Sequence, residues 1–201
     1  LTPDILLSAT AFAIAGSFTP GPNNAMLLTS GVNFGFRRTL PHIAGIVIGY
    51  SVMFAAVALG LGRVFVAEPA LYTALKIASS IYLLWLAWRI ATAASPTSGE
   101  AETPPLTFLQ AALFQWVNPK GVMLALAAAA NFLDPDSLAS DLPVMLALIG
   151  VMSFASASTW ALFGQGMRRF LNEPGRLRVF NRAMALALIA SLWPLFNAHA
   201  A

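Results

Sequence analysis

The chain has 201 residues, 58% of them hydrophobic and 9% charged, with no cysteine and a net charge of +3. Soluble domains carry about 25% charged residues, so a water-soluble globule of this size is excluded, as are disulfides, thiolate chemistry and cysteine zinc sites. The basic balance does not point to nucleic acid, because five of the eleven Lys and Arg residues fall between Arg168 and Arg182, flanked by apolar runs, where they suit a loop facing anionic lipid headgroups.

A membrane span needs roughly 20 apolar residues, which leaves room for six spans and no separate soluble domain. The first runs over about residues 5–28 and is broken by Pro20-Gly21-Pro22-Asn23-Asn24. The first charge is Asp4, so a basic n-region is lacking and this run is expected to stay as a span rather than be cleaved as a signal peptide. The second span covers about 40–61 and the third about 69–90. Residues 93–105 are small, polar and proline-rich, and read as a mobile linker. The fourth span, about 106–133, is interrupted by Asn118-Pro119-Lys120; the fifth covers about 143–164 and the sixth about 179–196.

Counting basic residues by loop places Arg37, Arg38, Arg89, Arg168, Arg169, Arg176, Arg178 and Arg182 on one side and only Arg63 on the other. That bias puts the first side in the cytoplasm and both termini outside. The acidic stretch from Asp134 to Asp141 also falls outside, as a solvated surface.

Six spans divide into three plus three, and an odd number per half forces the halves into opposite orientations. Pro22, Met26 and Leu27 recur as Pro119, Met123 and Leu124 at a spacing of 97. The expected fold is therefore all-α and integral to the membrane: six transmembrane helices as two inverted three-helix repeats, about 4–92 and 106–201 within one transporter domain, with the first and fourth helices broken. Inverted-repeat transporters build their binding sites from such matched breaks.

Each proline lacks an N–H and frees the carbonyl four residues earlier: Gly16 for Pro20, Phe18 for Pro22, Gln115 for Pro119. In lipid an unpaired backbone group costs several kcal/mol, so protein, water or ligand must satisfy it. The helix resuming after the first break offers free N–H groups and a positive dipole end, with Asn23 or Asn24 as its expected cap. That end suits the carboxylate of an amino acid, and the freed carbonyls suit its ammonium. Candidate substrate-binding residues are Pro20, Gly21, Pro22, Asn23, Asn24, Asn118, Pro119 and Lys120; the bland alternative is a pair of ordinary proline kinks filled by Ser, Thr or water.

Lys120 lies about 14 residues into its span, roughly 20 Å from the inner end, too deep to snorkel. An ionisable residue at that depth is either functional or tied to the freed carbonyls. Lys76, nearer the outer end, reads as a snorkelling lysine. His42, at the inner edge of the second span, reads as structural. Gly45 and Gly49 form a GxxxG pair, followed by Gly60 and Gly62; with Ala127 to Ala130, Ser153, Ser156, Ser158 and Thr159 they read as close-packing positions within one chain, with a homodimer as the second option. Trp85, Trp88 and Trp193 read as interfacial anchors.

Several stretches, FTPGPNNAMLL at 18–28, GFRR at 35–38, HIAGIVIGY at 42–50, YLLWLAWRIATA at 82–93 and QWVNPKGVML at 115–124, resemble the lysine/homoserine exporter (LysE/RhtB) family across nearly the whole chain. TPGPNN with YLLWLAW is most similar to the subgroup exporting cysteine and O-acetylserine. The resemblance implies six spans, inverted repeats, a bacterial cytoplasmic (inner) membrane location, and export of small amino acids driven by the proton-motive force, with no cofactor or metal. Many members carry Asp after the second proline, where this chain has Asn23, so a carboxylate relay for proton coupling has no seat in the middle of any span. An enzyme is not expected: HExxH, GxSxG and paired intramembrane carboxylates are all missing. A channel or non-transporting subunit is the alternative, and matched breaks favour a carrier.

Overall fold

A computed structural model describes residues 1–92, 105–171 and 173–192, and all secondary structure among them is helical. Most of the expected linker (93–104), Trp193 and the end of the sixth run lie outside the described residues.

Helix α1 (Pro3–Phe18) starts at Thr2, whose hydroxyl accepts the Ile5 N–H, with Pro3 preset for the first turn. Helix α2 (Pro22–Phe34) resumes at 54° to α1. Gly35, at φ 79°, both ends α2 and begins α3 (Phe36–Ala56), a conformation that other residues rarely adopt. The first N–H of α3, on Phe36, is taken by Gln165 Oε1 at 2.6 Å. A π turn at Val57–Leu61 leads into α4 (Gly62–Ala67), and α5 (Pro69–Ala91) completes the first half.

In the second half α6 (Phe108–Val117) opens on a capping box between Thr107 and Gln110. Asn118 alone separates it from α7 (Pro119–Phe132). A short 3₁₀ turn, Pro135–Ser137, leads to α8 (Leu138–Met167), and α9 (Pro174–Ala190) follows.

By length and composition Phe36–Val64, Thr73–Ala91 and Pro135–Met167 can each cross a membrane, and α1 with α2 makes a fourth if the bent pair is one span. Leu7, Ile81, Leu109, Val151 and Leu186 stand more than half exposed, while Asn24, His42, Gln115, Asn118 and Asn181 are buried. Apolar outside and polar inside inverts the pattern of a soluble protein and suits a lipid surround.

Small residues set the helix spacing. A Cβ on Gly31 would fall 2.1 Å from the Ala161 carbonyl oxygen, and one on Gly164 2.2 Å from that of Leu28, so α2 and α8 touch backbone to backbone. Gly45 and Gly49 seat α3 on α6 in the same way, against Phe108 O and Ala112. The GxxxG pair thus packs within the chain. Gly60 departs from the packing role expected for it: it meets nothing within 4 Å and instead takes φ 131° in the π turn. Leu83, Leu86, Ala87 and Ile90 of α5 join Ala185 and Leu188 of α9 in one apolar cluster.

One end of the bundle gathers the arginines. Gly35 lies beside Gln165 and Arg168, Asn33 reaches Asn181 of α9, and Phe34, Arg89 and Pro105 line one cavity. At the other end Leu1, Leu133 and Leu142 pack on one cluster.

The α2–α8 contact makes a stability prediction. Gly164→Ala should cost about 1–3 kcal/mol through overpacking, read as a lower unfolding midpoint in detergent. Gly166→Ala, two residues on, has open space and should hold or raise the midpoint. Equal midpoints for the two variants would contradict the contact.

Candidate functional site

The first break follows from two prolines. Neither Pro20 nor Pro22 can donate, so α1 ends at Phe18, Gly21 is extended at φ −172° and ψ −179°, and Pro22 occupies the first position of α2. The exposed carbonyls find partners from three helices. Ser17 O accepts from Asn24 Nδ2 at 2.9 Å and from Ser156 Oγ of α8 at 2.7 Å. Thr19 O accepts from Asn24 Nδ2 at 2.8 Å and from Lys120 Nζ at 2.6 Å, and Lys120 also reaches Pro20 O at 3.4 Å.

The expected cap is corrected here. Gly21 is the N-cap of α2, and no side chain caps it. With Pro22 at the first position one orphan donor is already gone, and the Asn24 amide turns back to clamp the end of α1. Asn23 turns to the second break, where its Nδ2 donates to Gln115 Oε1 at 2.9 Å and its Oδ1 accepts from Gln115 Nε2 at 3.2 Å.

The second break is tighter. Asn118 caps α7 from an extended conformation (φ −81°, ψ 105°), its N–H returning to Gln115 O at 3.3 Å. The Val117 carbonyl accepts from the hydroxyl of Ser79 on α5. Lys120, in the first turn of α7, crosses to the first break, and its stem explains Gly21: a Cβ there would fall 2.8 Å from Lys120 Cδ.

The two breaks face one cavity, of about 530 Å³ counting its open mouth. Of the residues expected from sequence, Gly21, Pro22, Asn23, Asn24, Asn118 and Lys120 line it; Pro20 and Pro119 make the breaks but do not line it. Sequence reasoning missed Ser17 and Tyr50, and read Ser153 and Ser156 as packing residues although both line the cavity. Gln115, buried in an apolar helix, carried a usable signal, since an amide at that depth needs a partner.

The electrostatics of the cavity favour an anion with a donor beside it. Lys120 brings an ammonium, and α2 and α7 both begin at its wall with their positive dipole ends. Among the described residues no acidic side chain lines it. Asn118 Oδ1 is buried without a partner, an acceptor open to a ligand N–H. Among the described residues no three His, Cys, Asp or Glu side chains come together as a metal site.

Comparison with known proteins agrees on a family. The LysE type translocator family matches residues 14–191. The chain is 32% identical over 194 residues to the cysteine/O-acetylserine efflux protein of Escherichia coli O1:K1 / APEC, covering 94% of this chain and 96% of that relative. It is 31% identical, over the same shares, to the proteins of that description in Escherichia coli K12 and Shigella sonnei. No solved structure matches.

The reciprocal amide pair ties the two breaks together, and a double-mutant cycle measures it. Asn23→Ala and Gln115→Ala should couple by about 1 kcal/mol in unfolding free energy. Strict additivity would mean that the pair is not formed.

Proposed function

The chain belongs to the LysE-type translocator family, and from that premise we propose that it exports small neutral amino acids of the cysteine and O-acetylserine class from the cytoplasm by alternating access, driven by the proton-motive force. Family and composition make it a multi-pass membrane translocator and not an enzyme. The substrate class is supported by its similarity to cysteine/O-acetylserine efflux proteins.

The architecture proposed with it has six spans in two inverted halves: α1 with α2, α3 with α4, and α5; then α6 with α7, α8, and the run that begins with α9. What supports it is that a broken helix opens each half, with a proline at the first position of both resumed helices, Pro22 and Pro119. The arginine-rich end is assigned to the cytoplasm and both termini to the outside.

The observation that carries the mechanism is the bond from Lys120 to the carbonyls of the opposite break, at a cavity that no carboxylate lines among the described residues. In the empty site the ammonium is held by Thr19 O and Pro20 O. An arriving amino-acid carboxylate competes for it, assisted by the N-terminal dipole of α2. Asn118 Oδ1 receives the substrate ammonium. Transfer of Lys120 from backbone to substrate unties the breaks, which can then shift against each other. Binding thus changes the relative stability of the inward-open and outward-open states, the requirement for any coupled change of shape.

Two experiments test this. Cells or inverted vesicles loaded with a labelled amino-acid panel should export cysteine and O-acetylserine saturably and with counterflow. Lys120→Met should abolish uphill export at equal membrane abundance, and Lys120→Arg should keep part of it, because Arg keeps the charge on a stiffer fork. Wild-type export by the Met variant would leave Lys120 a purely structural role. For orientation, the cysteine-free chain permits single-cysteine labelling with an impermeant reagent: Thr2→Cys and Asp136→Cys should react from outside intact cells, and Gly175→Cys should not. Labelling of position 175 from outside would invert the topology.

A further inference from the structure

A second cavity, of about 500 Å³ counting its open mouth, lies between α2, α3, α5 and Pro105–Leu106 at the arginine-rich end. His42 and Asn33 line it. His42 is 1% exposed and neither ring nitrogen has a partner; Asn33 is 6% exposed and its Oδ1 is also unpartnered. The structural role expected for His42 does not account for this, because a buried imidazole that supports packing normally spends at least one nitrogen on a hydrogen bond. Three buried polar atoms without a protein partner at one cavity wall suit a polar occupant.

The chemistry of the wall selects the occupant. Arg89, half-buried and stacked over Trp85 at 5.0 Å, supplies a guanidinium for a carboxylate. Asn33 Oδ1 is an acceptor for an ammonium, and a neutral His42 offers one donor and one acceptor. Among the described residues no acidic side chain lines the cavity. Met26 and its apolar neighbours leave room for a short side chain. Met26 lines this cavity and Leu27, the next residue of α2, lines the one between the breaks, so the two cavities lie against different faces of the same helix.

We infer that the inner cavity is a second amino-acid site, built by Arg89, His42 and Asn33, where the zwitterionic substrate waits before entering the site between the breaks. This inference rests on the export reading and adds a station to it. With both sites working, the detergent-purified protein should bind one more molecule of labelled O-acetyl-L-serine per chain than the Lys120→Met variant does. His42→Leu should weaken the remaining binding of Lys120→Met about tenfold, the loss of one hydrogen bond to a charged ligand. A second measurement does not depend on how the His42 variant folds: in Ser30→Cys, made in the Lys120→Met background, O-acetyl-L-serine should slow maleimide labelling. A single wild-type equivalent that Lys120→Met removes, with no protection at position 30, overturns the inner site and leaves the export reading intact. Neither binding nor export of the amino-acid panel by the wild-type protein overturns both.

Discussion

Everything around the two helix breaks depends on one constraint: a backbone carbonyl without a partner cannot remain in a lipid-surrounded bundle. Pro20, Pro22 and Pro119 interrupt two helices, and the chain satisfies the ends with groups from elsewhere. Asn24 and Ser156 take Ser17 O, Asn24 and Lys120 take Thr19 O, and Ser79 takes Val117 O. These donors come from α2, α8, α7 and α5, so closing the breaks also fixes the positions of four helices. The site and the fold are held by the same bonds.

Such bonds need helices that approach closely, which is the work of the glycines. With Gly31 and Gly164 at the α2–α8 contact, Ser156 reaches the end of α1; with Gly45 and Gly49 at the α3–α6 contact, Gln115 comes to face Asn23. In lipid the hydrophobic effect gives little drive to helix association, and close packing plus interhelical hydrogen bonds supply it. A larger residue at these glycines would therefore strain the packing and also draw the donors away from the carbonyls they serve.

The sequence made the breaks legible because proline acts locally: a missing N–H is a property of the residue itself, and six of the eight expected residues reach the cavity wall. The partners were less legible, because they are set by tertiary approach. Asn24 matched the rule for a helix cap, but Gly21 with Pro22 already begins the helix and the amide was free to turn back. Gln115 stands next to the break in sequence, yet its partner Asn23 is 92 residues away. His42 was placed at an interface by its position in the span; it is instead buried, at a cavity shared with residues of α2 and α5, which no local pattern encodes. Gly60 looked like one more packing glycine, and only the backbone reveals that it is needed for its positive φ.

The departure at Asn23, where the resembled family often has Asp, becomes intelligible through Gln115. The pair exchanges two hydrogen bonds, one donated by each amide; an ionised Asp could still accept from Gln115 Nε2 but could not donate to Gln115 Oε1, which would lose its partner at residue 23. Asn at 23 and Gln at 115 are therefore matched, and Lys120 is the one charged side chain that lines the cavity among the described residues. A cavity of that kind is incomplete when empty, since its ammonium must settle for backbone carbonyls. It becomes complete when a ligand brings a carboxylate with its own ammonium, which Asn118 Oδ1 is free to accept. The negative charge that other designs build into the protein is here supplied by the substrate. In the proposed mechanism the tie between the breaks is consequently strong in the empty site and weak in the loaded one. Occupancy itself then sets which arrangement of the two halves is favoured.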